Sequence, residues 1–210
     1  ESVFNPTLVL FAGGSVLAAF FLSMAYVCLT EKSNKIRGAL IQGIFRSNYI
    51  LFGVPIVSGV FGQEGLGVVS IISAFVIPLY NMLSVAALET FSHGKMNVKK
   101  ILKGIITNPL IIASLLGIVF LVFQIPLPQA VEETIVDMGQ VATPLGLVSL
   151  GGFFKFSDTK RFLRQLVIIV VGRLLICPAI FLPIFIAMGF RDVELMALAT
   201  MMGAPIAVSS

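Results

Sequence analysis

The sequence predicts an all-α polytopic membrane protein organised as an inverted repeat with two broken helices, and three observations predict it. Hydrophobic residues fill 58% of the 210 positions against 11% charged ones, a balance outside that of soluble domains. The apolar residues form seven stretches of membrane-crossing length, with the basic residues gathered in every second connection between them. Two of those stretches are interrupted by Gly-x-Pro.

A hydrocarbon core of roughly 30 Å takes about 20 helical residues, and the candidate spans run 5–30, 38–61, 66–91, 101–123, 134–155, 163–187 and 192–210. The first carries no basic n-region and no small-residue cleavage site before a polar domain, so it reads as a span and not as a signal peptide. The chain opens on Glu1 and ends on Ser209 and Ser210 directly behind an apolar run, which reads as a fragment of a longer protein. Connections after the odd-numbered spans hold Lys32, Lys35 and Arg37, then Lys95, Lys99, Lys100 and Lys103, then Lys155, Lys160, Arg161 and Arg164. The intervening ones hold only Arg191, with Glu64, Glu132, Glu133 and Asp192. Cytoplasmic loops carry the positive excess, so the amino end lies outside. Glu89 and His93 fall beside the lysine cluster and read as a solvated face.

The basic residues therefore mark topology and not a nucleic-acid surface. Cys28 and Cys177, both inside apolar runs, read as packing residues. No Gly-rich phosphate loop, metal-ligand spacing or nucleophile–histidine set is present, so neither an enzyme nor a cofactor or metal site is expected.

The second span carries Arg46, Ser47, Asn48, Gly53 and Pro55 in its body. Proline lacks a backbone donor and biases its predecessor away from helix, so Gly53-Val54-Pro55 predicts a break there with a short half-helix behind it. Gly203-Ala204-Pro205 repeats the feature in the seventh span. Irregular backbone at membrane depth persists only where protein buries it or a wet cavity meets it, and paired interruptions of this kind point to a transporter binding site. Spans one and two run outside to inside and back, whereas spans six and seven run the opposite way. Completing that inverted repeat requires ten spans, five plus five, of which these are three to nine.

Arg46 and Arg173 lie nine or ten residues in from the cytoplasmic edge, about 15 Å deep. A buried cation there faces a cavity or a partner, and no Asp or Glu of the chain lies at that depth. Either the arginines and the half-helix amino ends make a positive site suited to an anion, or the arginines bond exposed carbonyls at the break or acids elsewhere. Asn48 suits a carboxylate ligand or, alternatively, satisfies broken backbone. Asn108-Pro109 and Thr143-Pro144 read as kinks and helix–helix contacts, and Ser209 and Ser210 as residues able to line the site.

The run Asn48-Tyr-Ile-Leu-Phe-Gly53-Val-Pro55 with Phe61-Gly62 resembles the N-x4-G-[IV]-P crossover of the auxin efflux carrier family, which includes plant auxin exporters and bacterial malate or malonate permeases. Asn108-Pro109, Ala142-Thr143-Pro144-Leu145, Ser149 to Gly152, Gly172-Arg173 and Pro178-Ala179 follow in the family's order. The resemblance implies a fold similar to bile acid/sodium symporters and the NhaA antiporter. It implies a transport domain from residues 1–92, with crossover helix 38–61, and 163–210, with crossover helix 192–210, against a scaffold at 101–155. It also implies carboxylate contact by Asn48. The short connection near Ser92 to Lys100 suits a bacterial inner-membrane member.

The expected function is secondary transport of a small organic anion by alternating access, with the lipid bilayer as surroundings and a homodimer through the scaffold helices as the assembly. The alternatives are a membrane receptor that binds without flux, and a sodium- or proton-coupled symporter of the same fold. In a variant without Cys28 and Cys177, cysteines at Gln63 and Gln129 should react with an impermeant thiol reagent from outside, and cysteines at Ser33 and Ser157 should not; reversed labelling would invert the orientation.

Overall fold

The computed structural model describes residues 5–92, 98–154 and 156–207. Asn5 begins the first helix, α1 (Pro6–Thr30), its carboxamide oxygen accepting from the amides of Thr7 and Leu8 while Pro6 fills the first helical position. Arg37 closes the other end, donating to the carbonyls of Glu31 and Cys28 at 2.8 and 3.2 Å. The chain returns as α2 (Asn34–Phe45), loses helical geometry over residues 46–48, and resumes as α3 (Tyr49–Ser92). Gly62 bends α3 at φ 60° and ψ −136°, dividing it into 49–61 and 63–92. A side chain would be strained in that backbone conformation.

Next come α4 (Val98–Thr107) and α5 (Pro109–Val122), the two parts of one span interrupted at Asn108. The Asn108 carbonyl accepts from the amides of Ile111 and Ile112. Helix α6 (Gln129–Phe153) has spanning length, but its first turns carry Glu132, Glu133 and Asp137. It is exposed along almost all its described length. The short α7 (Phe156–Arg161) leads into α8 (Leu163–Val171), a π turn (Gly172–Ile176) and α9 (Cys177–Ala187), which together form one continuous helix. Finally α10 (Asp192–Gly203) stops at Ala204, and residues 204–207 are not helical.

The two ends of the chain repeat one another in length. Helix α1 has 25 residues, as does the α8–α9 helix (Leu163–Ala187), and α2 and α10 have 12 each. Each pair is followed by a non-helical segment, and the two segments pair antiparallel, Ser47 with Ile206. Asn48 donates its amide to the Pro205 carbonyl at 2.8 Å. The repeat is thus inverted and meets itself at this crossing. At its outer ends Asn5 Nδ2 donates to Glu194 Oε1 at 2.7 Å, joining the starts of α1 and α10.

Residues buried at helical spacing on α1, among them Leu8, Ala12, Val16, Phe20 and Val27, pack against α2 and α3. Phe20 meets Phe45 edge to face at 5.1 Å, and Phe45 lies 5.9 Å from the Tyr80 ring. The core is drawn from α1–α3, α9 and α10, with Ile168 and Ile169 of α8 packed against it, whereas α4–α6 contribute only Ile111 among the described buried apolar residues. Large apolar side chains face outward throughout, with Leu29 87% and Phe153 85% exposed. A surface of that kind is solvated by lipid. Among the described residues three continuous helices are long and apolar enough to cross a membrane, in α1, in α3 and in 163–187.

Two expectations need correction. The break in the second span falls at residues 46–48, not at Gly53-Val54-Pro55, because a helix loses only one hydrogen bond at Pro55 while Ser47 and Asn48 are poor helix-interior residues that favour helix starts. Cys28 is exposed, since it lies one position past the buried row that ends at Val27.

Gly62→Ala should lower stability in detergent by about 1–3 kcal/mol through backbone strain alone, since its added methyl would meet open space. Gly59→Ala, equally uncrowded but inside a regular helix, should be neutral or slightly stabilising by the same thermal unfolding assay.

Candidate crossover site

Four chain ends converge where the repeats cross: the carboxyl ends of α2 and α10, the amino end of α3, and the non-helical residues behind α10. Helix α10 stops because Ala204 precedes Pro205 and is held extended at φ −67° and ψ 147°. Helix α2 stops at Arg46, extended at φ −80° and ψ 123°, without a proline.

Arg173 reaches this junction from the π turn. Pro178 cannot donate to the carbonyl four residues back, and the ladder instead closes from the Cys177 amide to the Gly172 carbonyl five residues back. Its guanidinium is 1% exposed. Nε donates to Ala204 O at 2.8 Å, one terminal nitrogen to Phe45 O at 3.0 Å and the other to Met201 O at 2.5 Å. Of the two roles open to it, Arg173 has the carbonyl-bonding one. Cys177 Sγ adds a contact to Ile44 O at 3.8 Å.

Arg46 is also buried, and it turns toward α3, donating to Asn81 Oδ1 at 3.0 Å and to Ser84 Oγ at 3.4 Å. Tyr80, on the same stretch, lies beside Ser47 and Arg173. The hydroxyls of Ser47, Tyr49 and Tyr80 are buried without a hydrogen bond of good geometry.

Asn48 stands at the start of α3 and is partly exposed, and its carboxamide has no hydrogen-bond partner among the described residues. Behind it Phe52 donates its amide to Asn48 O at 3.3 Å, while the amides of Tyr49, Ile50 and Leu51 meet no acceptor among the described residues. Four and eight residues on, Phe52 and Ile56 continue the helical row begun by Asn48. They form one wall of a cavity of about 310 Å³, facing Ala199, Thr200, Gly203, Ala204 and Pro205. The Thr200 hydroxyl is engaged with Met196 O and Ala197 O.

The remaining expected residues fall as follows. Gly203 and Pro205 line the cavity. Gly53 is buried against the Tyr49 ring, where the absence of a side chain makes room. Pro55 is exposed on the same helix and breaks nothing. Asn108 lies between α4 and α5 and Pro144 within α6, beyond this junction, as is the Thr143 backbone. Ser209, Ser210 and His93 lie outside the described residues. Sequence reasoning noted Ser47 without giving it a role and passed over Phe52, Ile56, Tyr80, Asn81 and Ser84. Asn81 and Ser84 were detectable, being polar residues three apart inside an apolar span.

An all-α membrane protein whose inverted repeats cross through two interrupted helices is built as secondary transporters are. A family model described as membrane transport protein, of the auxin efflux carrier type, matches residues 3–210. The chain belongs to this membrane transport family, which is a family of transporters and not of enzymes. Neither a curated protein nor a solved structure matches the chain.

Pro55→Ala should leave the fold and its unfolding temperature near those of the wild type. Gly53→Ala should destabilise by about 1–3 kcal/mol, because the new methyl runs into a Tyr49 ring that is itself buried and cannot swing away. Equal behaviour of the two variants would contradict the placement of the break at residues 46–48.

Proposed function

We propose that the chain carries a small organic anion across the membrane by alternating access, its carboxylate bound at the amino end of α3 beside Asn48. The observation that carries this reading is the Asn48 carboxamide next to three helix-start amides, all without a partner among the described residues, at the crossing of the two interrupted helices. Free amides at a helix start attract anions through hydrogen bonding and through the partial positive charge of that end. Arg46, two residues before Asn48, adds potential while bonded to Asn81 and Ser84. At an effective dielectric near 20, a unit charge ~8 Å away contributes roughly 2 kcal/mol.

The cavity wall favours one kind of anion. Phe52, Ile56 and Ala199 offer apolar surface with no charged group, which suits a monocarboxylate with an apolar body, as in an auxin-like acid. A dicarboxylate such as malate or malonate would set its second charge against that surface at a desolvation cost. The transport domain is proposed as 1–92 with 163–210, working against a scaffold at 101–155; support comes from the core, which is drawn from the first set. The amino end is placed outside on the distribution of Lys and Arg, and the membrane is read as a bacterial inner membrane on the short connection near Ser92 to Lys100.

Reconstituted into proteoliposomes, the protein should accumulate a labelled monocarboxylate above protein-free vesicles, and a receptor would bind it without flux. Asn48→Ala should weaken binding by about 1–3 kcal/mol, roughly 5- to 150-fold in Kd. Arg46→Gln should weaken carboxylates more than neutral amides of the same shape. Unchanged binding in Asn48→Ala would move the site elsewhere.

A further inference from the structure

We propose that the guanidinium of Arg173 is a resident cation filling a cage of backbone carbonyls that would otherwise take a free monovalent cation, so that the crossover is complete without bound sodium or potassium. The proposal rests on the reading of the crossover as the transport site, but its stability arm stands apart from any flux.

The cage is made from the carboxyl ends of both interrupted helices. Phe45 O closes α2, Met201 O belongs to the last turn of α10, and Ala204 O lies just beyond it. These carbonyls have lost their helical donors because the chain turns extended after each helix. Each helix end carries roughly half a negative charge. Two such ends meeting at one point amount to about one unit, and one guanidinium balances it. All three of these acceptors are backbone oxygens, and among the described residues no carboxylate pairs with Arg173.

Oxygen cages of unwound helix ends are what broken-helix transporters offer to a coupling ion. Here the position is taken by a guanidinium that presents its donors in a rigid fork. That fork meets two helices and the segment behind one of them at once, and with 1% exposure it is sealed from exchange with bulk ions. A free cation would therefore compete with a covalently tethered one for the same oxygens. The immediate surroundings, Phe45, Tyr80 and Cys177, are buried and supply no carboxylate to recruit an ion.

Removing the guanidinium should convert the place into a cation site. Arg173→Ala leaves three inward carbonyls and the volume of the deleted side chain, and both sodium and guanidinium ions are small enough to enter. The test is thermal unfolding of purified protein at constant ionic strength in sodium, potassium or N-methylglucamine chloride, with low-millimolar guanidinium chloride as a further arm. The wild type should unfold at the same temperature in all of them. Arg173→Ala should unfold at lower temperature in N-methylglucamine and recover in sodium or guanidinium, saturably, by at least about 2 °C. Arg173→Lys, which keeps a charge in the cage, should be insensitive to the cation. If Arg173→Ala cannot be purified, Arg173→Gln is compared in the same way. Specific stabilisation of the wild type by sodium or potassium would overturn the proposal, and so would a neutral variant equally unstable in every cation. Carboxylate flux by the wild type should be unchanged when N-methylglucamine replaces sodium. Absence of any carboxylate flux would count against the transport reading and leave the stability result standing.

Discussion

A helix interrupted inside a bilayer exposes amides and carbonyls where no water can reach them, each at a cost of several kcal/mol. This protein interrupts two helices and brings both interruptions to one place, where each partly satisfies the other. Ser47 and Ile206 form an antiparallel bridge, and the Asn48 amide bonds to Pro205 O. That pairing leaves the helix-end carbonyls, which Arg173 takes up with three donors from one rigid group. Without those bonds the carboxyl ends of α2 and α10 would face each other with like partial charge. The rest of the core is arranged around this meeting: Phe45 immediately before the break packs on Phe20 of α1 and Tyr80 of α3.

The solution is unequal on its two sides. The negative ends are bonded and sealed, whereas at the positive end, the start of α3, three amides and the Asn48 carboxamide have no partner among the described residues. Net positive character at that end is therefore a consequence of how the backbone was satisfied and needs no exposed charged side chain. Arg46 lies buried against Asn81 and Ser84, adding charge to the region while tying the break to the far half of α3. The proposed anion site follows from this inequality more than from any single residue.

Most of the architecture was legible because membrane spans are written in composition. Spans expected at 5–30, 163–187 and 192–210 correspond to helices starting at Pro6, Leu163 and Asp192. Break positions were harder. Ala204-Pro205 was readable since proline acts on its predecessor, and α10 ends there. In the second span the same reasoning failed: Pro55 lies on an exposed helix face and costs one backbone bond, while the break falls at Ser47 and Asn48, poor helix-interior residues that are fixed there by pairing with the distant residues 205 and 206. Of the candidate residues, Asn48, Gly203 and Pro205 were found from sequence at the crossing, but the phenol of Tyr80 and the wall formed by Phe52 and Ile56 look like ordinary apolar positions until the two repeats are folded together.

Arg173 illustrates why depth and charge alone could not assign a role. Both buried arginines are isolated from carboxylates in sequence, and each was open to a ligand or to a backbone partner. What separates them is geometry supplied by a third element. Pro178 shifts the helical ladder by one residue into a π turn, and that turn carries Arg173 at the junction where the ends of α2 and α10 meet. A lysine there would bring comparable charge but only three donors from one point, poorly matched to acceptors that belong to two helices and the segment behind one of them. The planar fork of arginine reaches all three, so the requirement for this residue type comes from the spread of the acceptors and not from charge by itself.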